Sequence, residues 1–288
     1  MFKFKCRFRQ RPQKYPPNLF LPPPAAFRFL CSPLMITQRI VLKFGSGILA
    51  RPKGNAPDET QFRKLADAVA GLVRNGAQCI IVSSGAVAAG MPILGLKERP
   101  ADLSARQACA AVGQSRLMGL YYKMFAAHGL AVAQLLLTHG DLDSRMRREN
   151  AGNTIERLLE RGNVVPIVNE NDSVAVEELR FGDNDHLSAE VAMLAHADLL
   201  IILTSVDGLM DAKGKVVPIV RNIESVAGLV RNDKGKLSVG GMVTKLQAVR
   251  LALDHGIPAV IANGRKPGQI GPIAEGKAGG TRFVVTRG

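Results

Sequence analysis

Tryptophan is absent from this 288-residue chain and tyrosine occurs only three times, which argues against a stacking surface for single-stranded nucleic acid. Long apolar runs are missing too. None approaches the roughly 20 residues that a membrane-spanning helix requires, so no membrane partner is expected. The four cysteines, Cys6, Cys31, Cys79 and Cys109, show no metal-ligand spacing. Cys79 lies inside an apolar run, where a buried thiol is the ordinary reading. No disulfide framework is expected, and a reducing, cytoplasmic location goes with that. The five histidines, His128, His139, His186, His196 and His255, form neither a triad nor a metal spacing, and each is read as structural.

Acidic residues are lacking altogether from residues 1–34. There Lys3, Lys5, Arg7, Arg9, Arg11, Lys14 and Arg28 supply half of the formal net charge of +14. A basic balance suits phosphate backbones, but with this segment set aside the case weakens, and a nucleic-acid partner is not expected. The same stretch holds Pro12, Pro16, Pro17, Pro22, Pro23, Pro24 and Pro33, which oppose regular helix or sheet. Residues 1–34 are therefore expected to be a disordered basic extension. Three readings compete: a translated region upstream of a start at Met35, an organelle transit segment, or a basic tether. The first is preferred because a globular pattern begins at once after Met35, and the prolines break the apolar stretch a secretory signal needs.

What the rest contains is alternation. Ile40-Val41-Leu42, Ile80-Ile81-Val82, Val132 to Leu137, Val164 to Val168, Leu199 to Leu203 and Val260-Ile261 read as strands of nearly continuous apolar character, as buried parallel strands do. A last strand is read at Phe283-Val284-Val285. Between the first two strands, Phe62, Leu65, Ala66, Val69, Leu72 and Val73 recur at helical spacing, and Gly76 supplies a stop. A further helix is marked by Leu246, Val249, Leu251 and Leu253, ending at His255-Gly256. Such alternation implies an α/β fold, a three-layer α/β/α sandwich with a mainly parallel central sheet. In these sheets ligands bind at the carboxyl ends of the strands, where the glycine-rich and polar turns fall. The segment from Val174 to Phe181 reads as a small projecting strand pair, either a lid or an ordinary surface hairpin.

Two motifs mislead. Gly45-Ser46-Gly47-Ile48-Leu49-Ala50 matches a relaxed dinucleotide fingerprint. The second strand, however, ends in Ser83-Ser84-Gly85 and not in the acidic residue that would hold a ribose. What remains is a glycine turn able to approach a phosphate, with Lys43 in the strand before it. Gly271-Pro272-Ile273-Ala274-Glu275-Gly276-Lys277-Ala278 imitates a Walker A loop, but Ala278 lacks the hydroxyl that would ligate magnesium, and no catalytic role is assigned to it.

Other turns carry chemistry in combination. Ser83-Ser84-Gly85-Ala86 joins a strand to a small-residue helix and offers hydroxyls and free N–H groups to an anion, although a serine there is more often a simple cap. Gly240-Gly241-Met242-Val243-Thr244-Lys245 opens the last long helix and brings Lys245 within reach of a phosphate. Asn169-Glu170-Asn171-Asp172 and Gly182-Asp183-Asn184-Asp185 are dense in short polar side chains. Each could be a solvated turn or a holder of amino and carboxylate groups. Two lysines and one aspartate able to pair with both suit phosphoryl transfer, in which neutralising negative charge does most of the work.

With those residues in place the chain resembles the amino-acid kinase family. The likeness runs from about Met35 onward and rests on V-L-K-F-G-S-G, S-S-G-A-V-A-A-G, A-V-G-Q-S-R-L, V-N-E-N-D-S-V-A, G-D-N-D-H-L-S-A and G-G-M-V-T-K-L-Q-A, in order. N-E-N-D and G-D-N-D point to the branch that acts on L-glutamate. The resemblance implies ATP-dependent phosphorylation of the glutamate side-chain carboxylate to L-glutamyl 5-phosphate, the first step towards proline, with Mg²⁺. It implies an acceptor lobe over residues 35–197 and a nucleotide lobe over 198–288. Lys43, Lys245 and Asp185 would be catalytic. Lys43, Gly45, Ser46, Thr204, Ser205 and the run Val239, Gly240, Gly241, Met242, Val243, Thr244 and Lys245 would bind ATP. Ser84, Gly85, Asp172 and Asn184 would bind glutamate, and no protein side chain is assigned to a metal. Ser205 stands where some members carry Asp, and Val239 where some carry Thr. A homo-oligomer with proline as feedback inhibitor is expected on the same ground. So is a form without the PUA domain that many members carry after this point. Another acidic acceptor, or an amino-acid sensor without turnover, remain the alternatives.

Overall fold

The computed structural model describes residues 38–51, 56–174, 183–226 and 241–285. The readings made for residues 1–34, for the strand pair beyond Val174, and for Val239 and Gly240 lie outside them. Among the described residues eight strands form one sheet: β1 (Arg39–Phe44), β2 (Gln78–Ser83), β3 (Ala131–Leu137), β4 (Val164–Glu170), β5 (Leu199–Thr204), β6 (Ile219–Val220), β7 (Ala259–Asn263) and β8 (Thr281–Phe283). Their spatial order is β3-β4-β2-β1-β5-β7-β8-β6. Neighbours are parallel except β7 and β8, which are antiparallel. The mainly parallel α/β architecture expected from the alternation is the one observed.

The helices are α1 (Ser46–Leu49), α2 (Glu59–Arg74), α3 (Ala86–Gly90), α4 (Leu103–Ala126), α5 (His139–Asp143), α6 (Arg145–Leu159), α7 (Asp183–Leu194), α8 (Met242–Asp254) and α9 (Ile270–Ala274). Local chemistry sets their ends. Asp58 caps α2 by accepting from the Gln61 N–H, and Asp102 does the same for α4 from Ala105. Thr138 and Asp141 form a reciprocal capping box on α5. Gly76, at φ 90°, ends α2 where a side chain would be strained.

Strand β1 shows how the sheet divides the core. Ile40, Leu42 and Phe44 pack with Phe62, Leu65 and Val69 of α2 and with Leu117, Tyr121 and Phe125 of α4. Val41 belongs to the other layer, with Leu187 and Val191 of α7 and Ala248 and Val249 of α8. Side chains alternate across a strand, so Lys43 falls on the α7 and α8 side. Because β1 is flanked by β2 and β5, the connections diverge on either side of it. That is the topological switch at which open α/β sheets bind ligands.

Two local readings change. The last strand is Thr281–Phe283, not Phe283 to Val285, because Thr281, Arg282 and Phe283 take register against Ile261, Val260 and Ala259. Thr281 Oγ1 also accepts from the Leu209 N–H at 2.8 Å. The pair Ile219–Val220, too short to show a period, adds a strand that the sequence reading lacks. The Walker-like stretch begins inside α9 rather than in a loop that leaves a strand. Cys79 and Cys109 are buried free thiols, and burial pushes the Cys79 thiol up to about 12.

Candidate active site

Asp185 is the third residue of α7 and is 2 % exposed. Its Oδ1 lies 2.7 Å from Lys43 Nζ, delivered by β1, and its Oδ2 lies 3.1 Å from Lys245 Nζ, delivered by the first turn of α8. Thr244 Oγ1 donates to the same Oδ2 at 2.9 Å. Both lysines are buried. Burial alone would push the Asp185 carboxyl up, but the two ammonium groups hold it below the ordinary carboxylate range. Burial lowers Lys43, with Asp185 opposing and the neighbouring Lys245 adding to the fall. A carboxylate in the first turn of α7 is also favoured by the helix dipole. One buried anion thus holds two buried cations apart at the carboxyl end of β1.

The glycine turn adjoins this cluster. Gly45 N–H donates to the Leu203 carbonyl at 3.3 Å, and a Cβ built on Gly45 would stand 3.6 Å from Lys43 Nζ. Thr204 ends β5, and its carbonyl accepts from the Gly264 N–H at 2.8 Å. Ser205 beyond it is exposed. Gly241 stands at the cap position of α8 and brings no side chain to the first N–H groups of that helix. Met242 is half-buried and Val243 is exposed.

A neutral cluster occupies the other side of α7. Asn184 Nδ2 donates to Ser84 Oγ at 3.0 Å and to Asn169 Oδ1 at 3.2 Å. Asn169 Oδ1 also accepts from the Glu170 N–H, and its Nδ2 donates to Gln114 Oε1 at 2.8 Å. Gln114 Nε2 donates in turn to Gln134 Oε1. Asn184 Oδ1 is buried with no hydrogen-bond partner among the described residues, so a free acceptor faces inward beside Ser84. Asp172 sits half-buried in the turn after β4. Gly85 has φ 106°, a conformation that favours glycine and turns the chain from β2 into α3.

The structure therefore joins Lys43, Lys245, Asp185 and Thr244 in one group and Ser84 with Asn184 in another. Gln114 and Gln134 are additions to the candidate residues. Gln114 sits in the A-V-G-Q-S-R-L stretch, which offered a signal; Gln134 had none. The approach of α3 to α4 was equally hidden. A Cβ on Gly113 would stand 1.8 Å from the Ala86 carbonyl oxygen, and one on Gly90 would stand 1.9 Å from that of Cys109. Only glycine permits this contact, which seats Gln114 beside Asn169 of the neutral cluster.

Residues 38–263 match the model of the amino acid kinase family. The chain belongs to that family. A protein named glutamate 5-kinase from Dehalococcoides mccartyi is 46 % identical over 257 residues, covering 86 % of this chain and 68 % of the relative. The glutamate 5-kinase of Aquifex aeolicus is 46 % identical over 253 residues, covering 87 % and 70 %. The chain thus spans about two thirds of the length of these relatives. Among solved structures, carbamate kinase from Giardia lamblia bound to AMP-PNP is similar with TM-score 0.60 at 16 % identity, over 87 % of this chain and 99 % of that one. N-acetylglutamate synthase from Neisseria gonorrhoeae is similar with TM-score 0.62 at 13 % identity, over 86 % and 62 %. At these identities the likeness establishes the amino-acid kinase fold.

Proposed function

We propose that this chain is an ATP-dependent kinase that phosphorylates the side-chain carboxylate of L-glutamate to L-glutamyl 5-phosphate, the first step towards proline. The observation that carries the reading is Asp185 holding Lys43 and Lys245 beside a glycine turn, in a chain whose named relatives are glutamate 5-kinases.

A glutamate carboxylate, with a pKa of about 4.3, is ionised at neutral pH and needs no general base. The barrier is repulsion between that anion and the triphosphate. Lys43 and Lys245, already desolvated and fixed by Asp185, stabilise the charge that moves onto the transferring group. Gly45, Ser46, Thr204, Ser205 and the run from Val239 to Lys245 hold the nucleotide. Ser84, Gly85, Asp172 and Asn184 hold glutamate. The open Asn184 Oδ1 suits a donor such as the substrate ammonium.

Among the described residues no group of three or more His, Cys, Asp or Glu side chains could hold a metal. Mg²⁺ would instead come in on the triphosphate, whose oxygens suit its preference, and would neutralise part of their charge. Residues 35–197 would form the acceptor lobe and 198–288 the nucleotide lobe, on one continuous sheet in which β1 pairs with β5. A cytoplasmic homo-oligomer inhibited by proline completes the proposal. Among the described residues no helix is long and apolar enough to cross a membrane.

The test is ATP turnover by the full chain with Mg²⁺, trapping acyl phosphate as hydroxamate and offering glutamate, aspartate, acetylglutamate or carbamate. Hydroxamate formed with glutamate alone supports the reading. Preference for another acceptor moves the chain to a different branch, and glutamate binding without turnover makes it a sensor.

A further inference from the structure

The turn after β7, Asn263-Gly264-Arg265-Lys266, contributes no side chain to either cluster, yet it grips the glycine turn. Helix α1 has four residues, far too few to hold its own shape in water, so its position is set from outside. Arg265 supplies much of that restraint. Its Nη2 donates to the Gly47 carbonyl at 2.7 Å and to the Ala50 carbonyl at 2.5 Å. Nη1 lies 3.5 Å from Asp58 Oδ2, the cap of α2. The Arg265 side chain is only 26 % exposed.

The gripping turn is itself fixed. Arg265 N–H donates to Asn263 Oδ1 at 2.9 Å, and Gln61 Nε2 donates to the Gly264 carbonyl at 2.6 Å. Gly264 lies so close to α1 that a Cβ there would stand 2.4 Å from Ile48 Cδ1. In a helical turn carbonyls and N–H groups point in opposite directions. A guanidinium on the Gly47 carbonyl therefore aims the N–H groups of the turn towards the Lys43 end, and its bond to the carbonyl of Ala50, the extended residue that ends the helix, adds an anchor. Both carbonyls are held by one nitrogen, Nη2, which lies a bond beyond where a lysine Nζ would end, while Nη1 faces Asp58 at the same time.

We infer that Arg265 is a positioning residue for the nucleotide: it touches no substrate, but fixes the backbone donors of Ser46 and Gly47 where the ATP phosphates dock, the Gly45 N–H being taken by Leu203. The inference rests on reading that turn as a phosphate site, and its test separates the two. Full-chain Arg265→Met, Arg265→Lys, Ser46→Ala and Ser46→Pro are compared for the KM of ATP, the KM of glutamate, kcat and the unfolding midpoint. Gly45 at φ −71° and ψ 149° accepts a following proline, so Ser46→Pro deletes one N–H at the first helical position, and Ser46→Ala accounts for the hydroxyl.

Arg265→Met is expected to raise the KM of ATP on the order of ten-fold, leaving kcat and the KM of glutamate nearly unchanged, with Arg265→Lys in between. An unchanged ATP KM in Arg265→Met, while Ser46→Pro raises it, overturns the role of Arg265 alone. An unchanged ATP KM in Ser46→Pro as well removes the phosphate site and the inference with it. A parallel rise in both KM values, with lower kcat and midpoint, makes Arg265 a structural cap only and overturns the inference. If Arg265→Met does not fold, Arg265→Lys decides, since wild-type ATP KM there also overturns it.

Discussion

Asn184 and Asp185 are consecutive residues of α7, and they serve regions built on different physics. Around Asp185 the groups are charged and buried, and each is tolerated only because its partners are present. Around Asn184 they are neutral amides and hydroxyls linked by hydrogen bonds, ending in one acceptor without a partner among the described residues. The first region suits a ligand whose charge must be neutralised. The second suits one that must be oriented. The difference predicts that damage on the charged side lowers turnover and stability together, whereas damage on the neutral side weakens acceptor binding.

Removing the shared anion should have the largest effect. Asp185→Ala removes the anion that two buried cations share and is expected to cost about 3–5 kcal/mol of stability along with turnover. Denaturant unfolding of the variant checks this, and a midpoint like that of the wild type would mean that the cluster is not held as described. Next come Lys43→Ala and Lys245→Ala, each expected to lower kcat by roughly 10²–10³-fold with the fold retained by circular dichroism. Near-normal turnover in either would remove that lysine from the chemistry.

Gly113→Ala tests the support of the neutral side. The added methyl meets the Ala86 carbonyl, so a loss of about 1–3 kcal/mol and a raised glutamate KM are expected. Unchanged glutamate KM would separate the helix contact from the site. Asn184→Ala should be milder, raising glutamate KM with ATP KM unaffected; steady-state kinetics in both substrates reads it directly.

The smallest effect is that of pH on the wild type. The Asp185 carboxyl is held below its ordinary value of 3.8. The stability it contributes is therefore fully present above that value and is lost as the pH falls through the lower, folded one. Between pH 8 and 5 this group should make no difference, and a steep loss of stability in that window, absent from Asp185→Asn, would contradict the assignment.

Parts of this were legible in the residues. Apolar runs marked the principal strands, and Phe62 to Val73 with Gly76 marked α2, because burial and chain reversal act locally. The parity of Lys43 with Val41 follows from strand geometry, so its side of the sheet was implicit. Other features arise only when distant segments meet. Gly113 against Ala86, Gln114 against Asn169 and Arg265 against Gly47 have no local period or turn signature. Ile219–Val220 is a strand only because β8 lies beside it, and two residues carry no pattern of their own.

The buried thiols carry a practical consequence for spectroscopy. With its proton held up to about 12, Cys79 offers almost no thiolate to an alkylating dye at neutral pH, and Cys109 is equally enclosed. A cysteine introduced at exposed Tyr122 on α4 would then outcompete both for a maleimide fluorophore, provided Cys6 and Cys31 are replaced, and would label the surface without disturbing the interior.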